Sequence, residues 1–375
     1  MVLYRDYQEY LRALKLKSNG ISRSDTLMNP TSSALMAGLG LALVSGLMNG
    51  TFTLPMRYLG RWSWENVWAL FIVVSCLLMP VVIAAISVSH LREALMAAPT
   101  RALGIALVTG FAWGFGAIMF GQGVSAIGIS LGNTFVLAIS ASLGSLLPMF
   151  VLAPGKLFER QGEAIMVGTA VALIGIGFCG YAGKLKERRH QNEDAQRKMV
   201  GKARPFWIGL LLCAGSGILS AVFNIGYSSA QGIVRSTIRF GNSAFAGSNL
   251  VWLLMLSGGA VSNLVFCAYL FKRNRTWRKY RESQAGSFYA LTILMGLLWG
   301  GSIFVYGAAA PKLGKLGPAI GWPLSLSVGL LTANVCGILA GEWKNSSRHE
   351  WTWMGAGLIV LIAAIAVLGM SAALN

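Results

Sequence analysis

In this chain of 375 residues 55% are hydrophobic and 12% charged, far below the roughly 25% charged of soluble domains, and the mean hydropathy is +0.61, which excludes a water-soluble globular protein. The formal charge of +18 does not mark a nucleic-acid binder, because Lys and Arg collect in short segments between apolar runs, where they set membrane topology. Five scattered cysteines and three histidines outside the apolar runs offer no disulfide framework, metal cluster or hydrolytic centre, so no cofactor or metal is expected.

Residues 1–33 are polar and mixed in charge, with no apolar core ahead of a small-residue cleavage site, so they do not read as a cleaved signal peptide. Leu3, Tyr7, Leu11 and Leu14 form a stripe beside Arg5, Arg12, Lys15 and Lys17. Two readings stand: an interfacial helix, or an unstructured extension ahead of a start at Met28. The first apolar run covers about 34–56 and leads into Arg57, Arg61, Trp62, Trp64 and Trp68, a basic and aromatic belt suited to a headgroup boundary. Glu65 sits in that belt, as an interfacial anchor, an arginine partner or a proton carrier. A second run covers 66–88.

From Arg101 to Lys156 the chain carries no charge, about twice the length of ~20 residues that crosses a bilayer. Its one short, soft region is 125–130, so it reads as a tight hairpin of runs three and four. Pairs four apart, Gly110 with Gly114, Gly128 with Gly132 and Ser140 with Gly144, let membrane helices approach closely. The polar-capable Trp113, Gln122, Asn133 and Thr134 must face protein or a wet cavity, since lipid offers them no partner. Run five covers 164–182, and the charged segment 184–204 marks a midpoint. Runs six to ten cover about 206–227, 244–271, 288–310, 317–340 and 353–373, with a second basic loop at 272–281.

The two halves echo each other. Gly110, Trp113, Gly114 and Gly121 match Gly296, Trp299, Gly300 and Gly307 at one spacing; Gly38, Leu41, Ser45, Gly46 and Phe52 match Gly209, Leu212, Ser216, Gly217 and Phe223 at another. Five runs per half put the repeats into the membrane in opposite directions, the plan of secondary transporters whose site lies at the repeat interface near the midplane. The expected fold is an all-α integral membrane protein of ten transmembrane helices in two inverted five-helix repeats, 34–183 and 205–375, joined by a basic cytoplasmic loop at 184–204. The loops after runs one, three, five, seven and nine carry 18 of the 31 Lys and Arg, which places them in the cytoplasm and both termini outside.

The chain resembles the bacterial L-rhamnose/proton symporter family, a branch of the drug/metabolite transporter superfamily, through RWSWENVW at 61–68, WGFGAIMFG at 113–121, GKLKERR at 183–189, GWPLSL at 321–326 and GEWKN at 341–345. These landmarks run in order over 34–375, and the family begins near Met28. The resemblance implies ten helices, an inner-membrane location and proton-coupled uptake of a deoxyhexose. The chain departs from the pattern where rhamnose-type members carry ionisable groups in the first helix and beside the tryptophan matching Trp322. Here Leu41 to Ser45, Gly317 to Ala319 and Pro323 to Ser325 hold none.

A sugar needs flat apolar surfaces for its C–H faces and neutral groups for its hydroxyls. Trp113, Trp299, Tyr306 and Trp322 can supply the first, and Asn49, Gln122, Asn133, Asn224, Ser228 and Ser325 the second. For each, helix packing is the competing role. The carboxylates nearest to a proton-coupling role are Glu65 and Glu342, both at helix ends; otherwise another ion drives transport, or none. The expected partners are a small neutral sugar, a coupling ion and the bilayer. An exporter of small neutral metabolites and a non-transporting sugar sensor are the other readings. An enzyme is not expected, since the sequence offers no carboxylate pair, Ser/His pair or metal cluster.

Overall fold

The apolar runs fold as helices because lipid leaves backbone N–H and C=O groups no partners but one another. The structure, a computed structural model, describes residues 31–127, 129–152, 154–195, 206–282, 285–314 and 316–374. Nearly all of the 1–33 extension, and with it the choice between interfacial helix and unstructured segment, lies outside the described residues. The long helices, in chain order, are α1 (Ser32–Thr51), α2 (Trp64–Ser87), α3 (Thr100–Ile127), α4 (Ile129–Leu152), α5 (Arg160–Ala195), α6 (Phe206–Ser229), α7 (Ala244–Asn274), α8 (Ala285–Lys312), α9 (Gly317–Leu339) and α10 (Arg348–Ser371). Among the described residues there is no strand, and nine helices are long and apolar enough to cross a membrane; α4 adds a shorter apolar stretch, Thr134–Phe150.

Local chemistry accounts for where these helices depart from the runs. α2 is widened over Val73–Leu78, just ahead of Pro80, whose missing N–H removes a helical bond; the Ser75 hydroxyl meanwhile donates to Phe71 O at 2.7 Å. α10 starts five residues before the expected run because Ser347 and Glu350 form a capping box. α5 continues as helix to Ala195, through the first half of the segment expected as a loop. Its extension is tied to the start of α10: Arg189 pairs with the buried Glu350 at 3.2 Å, and the Lys186 ammonium lies 4.7 Å from the centre of the Trp343 ring. Two short helices not expected from the sequence, Leu91–Met96 and Gln231–Arg239, are joined where the Ser236 hydroxyl donates to Ala94 O at 2.8 Å.

The helix contacts are nearly unchanged when every helix number is shifted by five. α1 packs on α8 and α9, as α6 packs on α3 and α4; α2 touches α8, as α7 touches α3. The paired glycines sit in these equivalent contacts. A Cβ on Gly110 would lie 2.0 Å from Met255 O of α7, and one on Gly296 would lie 2.7 Å from the Val74 side chain of α2. Likewise a Cβ on Gly46 would meet Val328 of α9 at 2.5 Å, and one on Gly217 would meet Ile139 of α4 at 2.7 Å. Small residues bring these backbones together where a larger side chain would hold them apart.

Large apolar side chains such as Val108, Phe111, Val265 and Ile359 point outward from the bundle, as a lipid-facing surface requires. Cys76, Cys179, Cys213 and Cys267 are buried and Cys336 partly so, all as free thiols.

Candidate functional site

Five helices converge on a central cavity of about 170 Å³. α1 contributes Ser45 and Asn49; α3 contributes Trp113; α6 contributes Ser220 and Phe223; α8 contributes Trp299, Ser302, Ile303 and Tyr306; α9 contributes Trp322, Ser325 and Leu326. Its centre is the tryptophan pair from the repeated motif. Trp113 and Trp299 are stacked with ring centroids 5.2 Å apart and planes 14° from parallel, and Phe223 lies 4.9 Å from Trp113. The pair is held because Gly259 gives Trp113 room on α7, where an added Cβ would come within 2.6 Å of the indole.

A set of neutral hydrogen bonds surrounds the rings. The Ser45 hydroxyl donates to Ser302 O at 2.9 Å and lies 2.8 Å from the Ser325 hydroxyl. The Ser140 hydroxyl, from α4, donates to Ser220 Oγ at 2.8 Å and accepts from Trp322 Nε1 at 3.3 Å. At one end the Tyr306 hydroxyl donates to Asn224 Oδ1 at 2.5 Å, while Asn224 Nδ2 donates to Gly144 O at 2.8 Å and Pro318 O at 3.3 Å. No lining residue is charged, and the described residues contain no His/Cys/Asp/Glu group that could hold a metal ion. Flat rings beside paired hydroxyls suit a neutral solute with apolar faces and polar edges.

Six of the sequence candidates meet in this cavity: Asn49, Trp113, Trp299, Tyr306, Trp322 and Ser325. Asn224 stands directly behind Tyr306. Ser228 does not line the cavity; it lies one turn beyond Asn224 and bonds back to Asn224 O at 2.9 Å. Gln122 is nine residues past Trp113, roughly 13 Å further along α3, and lines a separate groove with Arg273. Asn133 is on α4, with its side chain outside the described residues. Glu65 and Glu342 are at helix ends away from the cavity. Glu65, only 4% exposed, accepts from Thr276 Oγ1 at 2.6 Å and Asn274 Nδ2 at 3.0 Å, whereas Glu342 is exposed.

Sequence reasoning did not select Ser45, Ser220, Ser302 or Phe223. A signal for Ser220 was present: the register that matches Ser45 with Ser216 also matches Asn49 with Ser220, and both line the cavity. Ser302 had none, since its hydroxyl bonds back to Trp299 O at 2.6 Å and only its carbonyl reaches Ser45.

From the cavity, ring contacts continue in two directions. Phe71 touches Trp299 at 5.6 Å and Trp68 at 5.0 Å, which stacks on Trp64 at 5.1 Å. On the other side Phe223 leads to Trp252 at 5.4 Å and on to Tyr227 at 4.4 Å. An aromatic file thus runs from the α2 start, beside Glu65, through the cavity.

The sequence profile described as "L-rhamnose-proton symport protein" matches residues 31–374. The chain is similar to the L-rhamnose-proton symporter of Citrobacter koseri, 27% identical over an alignment of 351 residues that covers 91% of this chain and 99% of that one. It is 26% identical to the L-rhamnose-proton symporter of Escherichia coli O157:H7 over the same shares. One crystal structure aligns with 90% of this chain and 97% of its own at a TM-score of 0.54 and 15% identity, a likeness of fold alone.

Proposed function

Because the chain belongs to the L-rhamnose-proton symport protein family, we propose that it imports a neutral deoxyhexose of the L-rhamnose type together with protons, across the bacterial inner membrane, by alternating access. The observation that carries this reading is the uncharged cavity with its stacked Trp113 and Trp299 pair and its rim of serine hydroxyls. A buried cation would favour an anionic substrate, and the lining has none. Indole faces accept the C–H surface of a pyranose, while Asn49, Ser325 and their neighbours offer donors and acceptors to its hydroxyls. At about 170 Å³ the cavity is smaller than the ~300 Å³ at which ligand pockets begin. Binding then requires helices around it to part, as alternation between two inverted halves provides.

Proton coupling falls to Glu65 ahead of Glu342. Its carboxylate is buried and its bonds come from the neutral Thr276 and Asn274, so gain of a proton alters the grip of α2 on the segment after α7. Trp68 and Phe71 connect that turn to Trp299.

The deciding measurement is uptake of radiolabelled L-rhamnose into proteoliposomes, with and without an inward proton gradient, in competition with other 6-deoxy sugars and common hexoses. Saturable uptake raised by the gradient and blocked best by 6-deoxy sugars is expected. Absence of saturable uptake, or indifference to the gradient, overturns the reading.

A further inference from the structure

The groove that receives Gln122 shares no residue with the central cavity. It has a volume of about 510 Å³ and is formed by α3, α6 and α7. Its floor is apolar, made by Ile118, Met119, Leu212, Phe266 and Leu270, and its rim is polar, made by Gln122, Arg273 and Asn274. From Phe266 to Asn274 it follows α7 for roughly 12 Å. It lies on the outer flank of the bundle, where Val265 and Tyr269 of α7 are 65% and 56% exposed.

Among the described residues Arg273 is the one charged residue that lines the groove; Asn274 gives its amide to the carboxylate of Glu65, which is buried behind it. Arg273 opens onto the run from Lys272 to Arg281, where Arg275, Arg278 and Lys279 also stand and no Asp or Glu occurs. Trp277, 60% exposed and edge-on to Phe271 at 5.1 Å, marks this level as the membrane interface. We propose that the groove between α3, α6 and α7 is a binding site for an anionic phospholipid, its phosphate on Arg273 and the upper parts of its acyl chains on Met119, Leu212, Phe266 and Leu270. A free phosphate would leave the apolar floor wet, and a neutral lipid would leave the basic rim unmatched. An anionic lipid satisfies both, as basic pockets between membrane helices do.

The test uses the purified full-length chain in neutral detergent, offered equal amounts of phosphatidylglycerol and phosphatidylcholine with identical acyl chains and read by native mass spectrometry. The wild type is expected to retain phosphatidylglycerol about fivefold over phosphatidylcholine, the effect of one basic residue near an anionic headgroup. Arg273→Ala should bring that ratio to about one, Arg273→Lys should keep most of it, and Arg278→Ala, on the same run but outside the groove, should leave it unchanged. Leu270→Trp fills the floor without altering charge and should lower retention of both lipids, which keeps the test decisive if Arg273→Ala does not fold. Equal retention of both lipids by the wild type overturns the proposal. So does a fall with Arg278→Ala as large as with Arg273→Ala, which would mean diffuse attraction to the run, or a Leu270→Trp variant that retains lipid like the wild type. None of these readouts depends on sugar transport.

Discussion

Trp113 and Trp299 each present an indole to the same cavity, and each is also a packing element, so folding and binding must be separated when either is changed. Removing one ring forfeits its buried area and a stacking contribution of about 1 kcal/mol. Apparent sugar affinity should therefore fall by about tenfold or more in well-folded Trp113→Ala or Trp299→Ala, with Phe at either position intermediate. Equilibrium binding on monodisperse protein measures this, and wild-type affinity in both alanine variants would place the sugar elsewhere. Glu65→Gln keeps the side chain's shape and removes its titration. It should abolish gradient-driven accumulation while leaving sugar exchange across the membrane at equal pH; accumulation at the wild-type level would remove Glu65 from the coupling. The tryptophans were legible in the sequence because ring and glycine recur together in both halves. The serines were legible only in part: Ser325 was expected and lines the cavity, but Ser45 was not selected and Ser228 does not line it, because a serine that bonds to its own helix is spelled like one that faces a cavity; Ser45 points to Ser302 and Ser325, whereas Ser228 only caps the carbonyl of Asn224.

Among the helices, α3 carries the clearest contrast between a glycine that is needed and one that is not. Gly110 abuts the backbone of Met255, where a methyl group has no space, while Gly104 has nothing within 4 Å. Gly110→Ala is expected to push α3 off α7, displace Trp113 and lower folded yield, and Gly104→Ala to be neutral; fluorescence-detected size exclusion compares them directly. At α10, Ser347→Ala removes one side of the capping box and should cost about 1 kcal/mol, seen as a lower thermal midpoint in detergent. Helix centres were legible from apolar length alone, and helix ends were not. α10 begins early through a cap that includes an acidic residue, and α5 persists past its apolar run because Arg189 and Lys186 find Glu350 and Trp343 on another part of the chain. Partners so distant in sequence leave no periodic trace. Depth was lost for the same reason: Gln122 and Asn49 are both polar groups among glycines, and only the packed structure separates cavity from groove.

For the whole molecule, the helix contacts recur under a shift of five, as two repeated halves require. Superposing 34–183 on 205–374 should bring Trp113 onto Trp299 and Ser45 onto Ser216 with reversed membrane direction; a parallel superposition, or none, would remove the repeat. From the charge count 184–204 is expected to be cytoplasmic. A cysteine introduced there should resist an impermeant thiol reagent added outside intact cells, and one at Ala97, which is exposed between α2 and α3, should react; the opposite labelling would invert the topology. The stacked indoles come from α3 and α8, so under the two-halves arrangement one ring would belong to each half. Any rocking of one half against the other must slide or separate them, so their electronic coupling depends on the state of the transporter. Two indoles with centroids 5.2 Å apart are close enough to couple, and the difference between the circular dichroism of the wild type and of Trp299→Phe contains that coupling together with Trp299's own signal. If the halves rock, that difference should change when sugar is added, a readout that needs no attached dye; an unchanged difference would mean that the indoles stay stacked.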